Sequence, residues 1–580
     1  MLTNLRTQVG FLSSNALASR LTAGLGAALV FSLWYLHYIH PFTGQPLMAA
    51  GDMSVHVRFV HSASRALAEG QLPIRFVNDS SLLLQPIFLY YTPVFYTLAG
   101  GLELLGLTAS DALLATVGLF ALVAQLGLWL LLRELGCSRL VSALAFGGFA
   151  TAPYFVTCLY ARSAIAELSF LCFLPVVIHA VLLQSRRDDF TAWLYLSLST
   201  GLLILSHKIF TGWLFMALGL VHVARSGWDV RRNGLFLAAM AGAMALGAPY
   251  WLNAWLNAEN LDIAKRNIDA YTQHVGALHN AAYDGPPNRL GILWSFLTSG
   301  WDVFSLGPRT HPLSTTSNLN LQIGPLLSAG CLMAAWMGRR DRRLWVITAF
   351  VLGSILLACS FWELFPFWRY LSGPLRVIQF PYRMLTFTVL AGCVLLACVA
   401  DDLLARGKYA ALAILAAVGV FQLVKFDWRP GLSAQDSRAV ESTDLVHKDY
   451  WEPGAAPVPE GSVSDGRTLG TVLPGKDRME FVFHRPATAG WIALPVVCSR
   501  NLTILVDGQP GRPYQQEKGL VVLVPEGARR IVVERREWLS VGSGLAIWLA
   551  WLAGVYLAGF RTKALFRERP SEPGRLDGAG

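Results

Sequence analysis

The sequence predicts an α-helical polytopic membrane protein, about 12 transmembrane helices, with a small outer-face β-sandwich domain near the C-terminus. Of its 580 residues, 54% are hydrophobic and 14% charged, and its mean hydropathy is +0.46. That balance is too apolar for a soluble fold of this size. The apolar residues also fall into runs close to the roughly 20 residues that cross a bilayer as a helix. Only before the last run does strand-like alternation take over.

The first run, 21–40, follows Arg6 and Arg20 and lacks a small-residue cleavage site after it, so it reads as an uncleaved helix. Further runs lie near 110–132, 140–158, 168–184, 190–206, 209–225, 234–256, 320–337, 344–362, 377–400, 409–425 and 540–560. Segment 83–106 is apolar too, and its status fixes the orientation of everything after it. If it does not span, the arginines at 133–139, 186–187, 225–232, 339–343 and 561–569 share one side with the N-terminus, as the positive-inside rule requires. Pro86, Pro93, Tyr90, Tyr91, Tyr96 and Gly100-Gly101 suit a broken, aromatic-rich interfacial or re-entrant element. This arrangement predicts a core over 1–426 with outer loops 41–109 and 257–319, a periplasmic β domain over 427–537, and a final helix and cytoplasmic tail over 538–580.

The β domain is read from short alternating runs, Met479–Phe483, Trp491–Leu494, Leu502–Val506, Val521–Val524 and Ile531–Glu534. Turn signals at Asp507-Gly508, Pro510-Gly511 and Glu526-Gly527 separate several of them and point to an antiparallel sandwich. The net charge of +10 resides mainly in the short links between spans, as topology signals, and makes no nucleic-acid surface. Eight scattered cysteines give neither a disulfide framework nor metal-ligand spacing. Nucleotide-loop, dinucleotide and zinc-protease motifs are absent.

Basic residues on the outer side are not needed for topology, so those expected there are candidates for binding an anion. Asp52 in Gly51-Asp52-Met53-Ser54-Val55-His56 reads either as the cap of a helix or as a general base or metal-holding acid, with His56 one turn on along the same face. Arg162 and Glu167 share a short apolar loop. They form either an interfacial ion pair or a phosphate-facing guanidinium beside a carboxylate that orients it or takes a proton. His207 and Lys208 lie at a tight turn and either cap it or face substrate. Arg376 and Arg383 flank Gln379-Phe380-Pro381-Tyr382 at a helix mouth, either snorkelling onto aromatic residues or binding phosphate.

An acid in the first outer loop, a Pro/Tyr segment after it, a multi-helix core and an outer soluble domain resemble the GT-C superfamily of membrane glycosyltransferases. The motifs Asp52–His56, Gly70-Gln71-Leu72-Pro73, Arg162–Glu167, Ser206-His207 and Gln379–Arg383 also resemble a bacterial and archaeal membrane group that carries the label 6-pyruvoyl-tetrahydropterin synthase-related. The GT-C resemblance implies a polyprenyl-phosphate sugar donor, an envelope glycan, lipid or protein acceptor, and a bacterial inner membrane location, where the positive-inside reading puts both termini on the cytoplasmic side. It implies that Asp52 deprotonates the acceptor or holds a divalent cation. Arg162, Lys208, Arg376 and Arg383 would then neutralise the leaving phosphate. Many GT-C enzymes have a second acid where this chain has His56, and Glu167 is the carboxylate able to take its place. The rival reading is a non-catalytic component that binds or helps export a polysaccharide. A transporter fits less well, because the charges gather at the loops rather than at mid-helix.

Overall fold

The computed structural model describes residues 2–43, 53–72, 74–75, 87–187, 189–256, 323–337, 347–354, 381–425, 456–457, 463–474, 478–497, 502–516, 519–535 and 541–557. Its helices run α1 (Leu2–Tyr38), α2 (Met53–Ala68), α3 (Ile87–Tyr90), α4 (Pro93–Leu104), α5 (Ala109–Glu134), α6 (Arg139–Ala150), α7 (Pro153–Val156), α8 (Ile165–Arg186), α9 (Phe190–Ser206), α10 (Thr211–Ser226) and α11 (Val230–Leu256). Helices Pro325–Met337, Leu385–Ala405, Tyr409–Lys425 and Val541–Val555 follow. Among the described residues six helices are long and apolar enough to cross a membrane, or seven if the bent pair at 139–160 is one span. The chain is a multi-pass membrane protein. Four further apolar helices are shorter, α9 among them.

Side-chain caps set several boundaries. Thr108, Ser138 and Asp189 accept from Asp111, Val141 and Ala192 N–H groups and so start α5, α6 and α9. The 83–106 segment is described from residue 87, and there it is two short helices, α3 and the 12-residue α4, with a break between them. At about 1.5 Å per residue α4 is roughly 18 Å long, well short of a crossing.

Helix α8 is the hub. It meets α5, α9, α10 and Leu385–Ala405, and 83% of its apolar window is buried, against 17% for α1. Its approach to α5 needs a glycine: a Cβ on Gly127 would lie 2.7 Å from Val176 Cγ2 and 2.9 Å from Val176 N. The α5–α6 link is seated on Leu385–Ala405, where Ser138 N donates to Asp401 Oδ1 at 2.9 Å and the Cys137 and Cys398 sulfurs are 3.9 Å apart.

The C-terminal strands are β1 (Ala456–Pro457), β2 (Val463–Asp465), β3 (Gly470–Pro474), β4 (Arg478–Phe483), β5 (Gly490–Val497), β6 (Leu502–Val506), β7 (Gln509–Gly511), β8 (Pro513–Gln516), β9 (Gly519–Val524) and β10 (Arg530–Arg535). They form two five-stranded sheets, ordered β1-β8-β9-β5-β2 and β3-β4-β10-β6-β7. Met479, Phe481, Ile504 and Ile531 of one sheet and Ile492, Leu494, Leu520 and Val522 of the other bury into one apolar cluster. Two expectations are corrected. The pairs β1–β8 and β2–β5 are parallel, so the first sheet is mixed, and Pro510-Gly511 lies within β7. Asp507-Gly508 does form a hairpin, with φ of 46° and 84°, as a two-residue turn of mirror-image geometry demands.

Adjacent glycines in α4 give a test of the α2–α4 contact. A Cβ on Gly100 would sit 2.7 Å from Ser64 N, whereas one on Gly101 would meet nothing within 4 Å. Gly100→Val is expected to cost about 1–3 kcal/mol through overpacking and to lower the melting temperature of the solubilised protein, while Gly101→Val leaves it near wild type. Equal effects would contradict this packing.

Candidate functional site

The site begins at a broken helix. Pro153 has no N–H to continue the ladder of α6, so α6 stops at Ala150 and α7 restarts with Pro at its first turn, bent by 54° across the break. The carbonyl of Thr151 at this break is met by Gln422 Nε2 at 2.8 Å. Gln422 Oε1 also accepts from Leu326 N at 3.0 Å, so one buried amide joins three helical segments.

Beyond α7 the chain widens into a π turn over Thr157–Ala161, closed by Arg162 N donating to Thr157 O at 2.8 Å. Ser163 follows with φ of 52°, a left-handed conformation uncommon outside glycine. Its hydroxyl donates to Tyr160 O at 2.8 Å. The Tyr160 hydroxyl in turn donates to Tyr38 O, tying the turn to the end of α1. π turns and left-handed non-glycine residues are both enriched at functional sites.

This backbone path carries Arg162 to the first turn of α8, where Glu167 is 1% exposed. Glu167 Oε2 lies 3.0 Å from Arg162 Nη1 and 3.5 Å from Arg383 Nε. Its Oε1 accepts from Thr386 Oγ1 at 3.1 Å and from the Tyr154 hydroxyl. Arg383 and Thr386 come from the Pro381–Met384 3-10 turn and the start of Leu385–Ala405. The carboxylate thus sits at a helix N-terminus, where negative charge is favoured, between two guanidiniums each about 10% exposed.

His207 ends α9 and packs edge-on to Phe210 at 5.1 Å. Burial first, then the charges of Arg383, Arg162 and Lys208, hold its pKa well below the ordinary histidine value, so the ring stays neutral among cations. Lys208 donates to Leu89 O of α3 and stands 5.2 Å from the Tyr250 ring centre, linking α3 to α11. Two positive side chains and one negative one therefore meet in a buried place, with a further cation nearby.

The remaining expected residues divide. His56 lies in the α2–α4 interface, 1% exposed, with Nδ1 2.5 Å from Tyr96 Oη and its ring stacked on Tyr91 and Tyr96. Asp52, Arg376 and Gln379 lie outside the described residues. The sequence reading missed Tyr154, Thr386 and Gln422. Pro153 marked the break beside Tyr154, but no local signal distinguishes one threonine on an apolar helix. Among the described residues no three His, Cys, Asp or Glu side chains gather where they could hold a metal ion.

No protein-family model matches the sequence, and no curated protein matches it. Among solved structures, the chain is similar to the oligosaccharyltransferase of Archaeoglobus fulgidus in its apo form, with 13% identity and a TM-score of 0.38, over 77% of this chain and 62% of that one. It is similar to the mycobacterial arabinofuranosyltransferase AftD, with 15% identity and a TM-score of 0.42, over 70% of this chain and 26% of that one. A third similarity is to the Archaeoglobus fulgidus oligosaccharyltransferase AglB in complex with an inhibitory peptide and a dolichol-phosphate, at 13% identity and a TM-score of 0.40. The chain spans less than two thirds of the length of each, covering 62% of the AglB chain.

Charge balance makes the cluster testable. Glu167→Gln removes the carboxylate that both buried guanidiniums meet and is expected to cost roughly 3–5 kcal/mol. Arg162→Gln keeps the Glu167–Arg383 pair and should cost much less, an order readable by comparing the two variants' melting temperatures. His207 supplies a pH signature. Below about pH 6.5 the unfolded chain takes up a proton on this side chain that the folded protein refuses, so stability is lost as pH falls through that value. His207→Gln should flatten the melting temperature against pH below 6.5, and an unchanged profile would show that the ring is not held neutral.

Proposed function

We propose that the chain is a membrane glycosyltransferase whose donor is a sugar linked to a polyprenyl phosphate. The observation that carries this reading is the buried cluster in which the Arg162 and Arg383 guanidiniums converge on Glu167. Guanidiniums already fixed side by side in a low-dielectric place attract an anion more strongly than they would in water. A donor phosphate is such an anion, and planar guanidiniums match its oxygens.

Breaking the bond between sugar and phosphate develops negative charge on the leaving phosphate. Groups already fixed in the fold stabilise that charge without reorganising. Glu167, held by Tyr154 and Thr386, orients Arg162 and Arg383 toward this task. Asp52, immediately before α2 in the sequence, takes the acceptor hydroxyl proton or holds a divalent cation. Lys208 and His207 line the same approach, and Arg376 and Gln379 complete the phosphate site. The finer organisation belongs to this reading: about twelve spans in a bacterial inner membrane, both termini cytoplasmic, the cluster and the 427–537 β unit on the outer side, and an envelope glycan, lipid or protein as acceptor.

One observation favours a second reading, a polysaccharide-binding component. Trp491 and Tyr514 meet edge to face at 4.7 Å on the strands flanking β9, beside Leu523, which is 53% exposed. Aromatic faces of this kind can stack on sugar rings. The two readings separate in a deletion strain complemented with Arg162→Gln, Asp52→Asn or Trp491→Ala. Mass spectrometry of lipid-linked sugars should show donor accumulating with the first two variants and an envelope sugar missing. Full restoration by both, with loss only for Trp491→Ala, would replace the transferase by the binding protein.

A further inference from the structure

A cleft of about 900 Å³ opens between α1 and α5, away from Glu167. On α1 it is lined by Arg20, Ala23, Gly24 and Ala27, a single face at helical spacing. On α5 it follows Leu122, Leu126, Trp129 and Arg133, again one face. Gln125 Nε2 donates to Ala27 O at 2.7 Å and joins the two helices at the apolar end. Toward Arg20 and Arg133 the groove stays open, and a Cβ on Gly24 would meet nothing within 4 Å.

Charge gathers at one end only. Arg20, Arg133 and Arg139 line that end, with Glu134 as the acid beside them. Glu134 Oε1 pairs with Arg186 Nη1 at 2.7 Å and Arg133 Nη1 donates to Cys137 O, so one carboxylate stands among four arginines and this end keeps a net positive charge. The positive-inside rule explains which side these arginines face; it does not explain why they converge on one cleft. From Leu122 to Arg133 the α5 wall runs roughly 16 Å, close to half the ~30 Å hydrocarbon thickness of a bilayer. Arg186 stands at the far end of α8 from Glu167, roughly 28 Å along the helix, so the groove and the Glu167 cluster belong to opposite membrane faces.

An apolar trough one leaflet deep with guanidiniums at its mouth matches one class of molecule. We propose that this groove holds an anionic phospholipid, its phosphate at Arg20, Arg133 and Arg139 and an acyl chain along Gly24, Leu126 and Trp129. A zwitterionic lipid fits the trough but brings a quaternary ammonium to the arginines. The site does not depend on the transferase reading.

The test uses the full chain in nanodiscs of equal phosphatidylglycerol and phosphatidylcholine, followed by native mass spectrometry. Wild type should retain one phosphatidylglycerol in preference to phosphatidylcholine. Arg20→Gln with Arg139→Gln should lower that retention on the order of tenfold. Gly24→Leu should also displace the lipid, by filling the trough while leaving the rim charges intact. Arg20 and Gly24 lie on α1, the least buried candidate span, and Arg139 is the first residue of α6, so these variants should fold, which a monodisperse gel-filtration peak verifies. Equal retention of both lipids by wild type would overturn the proposal, as would phosphatidylglycerol retention unchanged in the arginine variant.

Discussion

The shared carboxylate of Glu167 is the constraint on which the rest of this structure turns. A carboxylate 1% exposed in an apolar bundle costs several kcal/mol to desolvate unless cations and donors surround it. Those partners come from the segment after α6 and from the start of Leu385–Ala405. One group therefore decides how three separate stretches of chain meet. The hub position of α8 follows, because its first turn carries the acid and its remaining faces receive α5, α9 and α10.

The lesser polar contacts extend that arrangement outward. Lys208 reaches the backbone of α3 at Leu89, and Phe88 of α3 packs on Tyr96 of α4 at 5.4 Å. Tyr96 in turn meets His56 of α2. A chain of contacts thus leads from the neighbourhood of the carboxylate to the amphipathic α2–α4 unit, which is too short to anchor itself across a bilayer. Most of these contacts end on a backbone carbonyl or an aromatic ring, so they fix position without adding another buried charge.

Much of the helical layout was legible in the sequence because hydropathy is a local signal. The apolar run at 190–206 coincides with α9, and Pro93 marks the break in 83–106, whereas Gly100-Gly101 lie inside an unbroken α4. The proximity of Arg162 and Glu167 was legible too, since they are five positions apart. Thr386 was not, because it reaches Glu167 across 219 positions and looks like any polar residue on an apolar helix. The parallel strand pairs were equally hidden: β1 and β2 are two and three residues long, and alternation in so few residues does not fix a direction. The run 140–158, read as one span, is instead broken between Ala150 and Pro153 and bent by 54°, and the distant Gln422 that satisfies the freed carbonyl gave no sign of its role.

The π turn at Thr157–Ala161 has a consequence for inheritance. Such a turn contains one residue more than the α-helical path between the same two points, so the direction of Arg162 depends on how many residues precede it as well as on which they are. Losing a single codon here would return the chain to the α-helical path and abolish the wide turn closed by Arg162 N on Thr157 O, even if every remaining side chain were kept. Length therefore shapes this place as much as identity does, and a chain shorter by one residue would give up the geometry while retaining the motif.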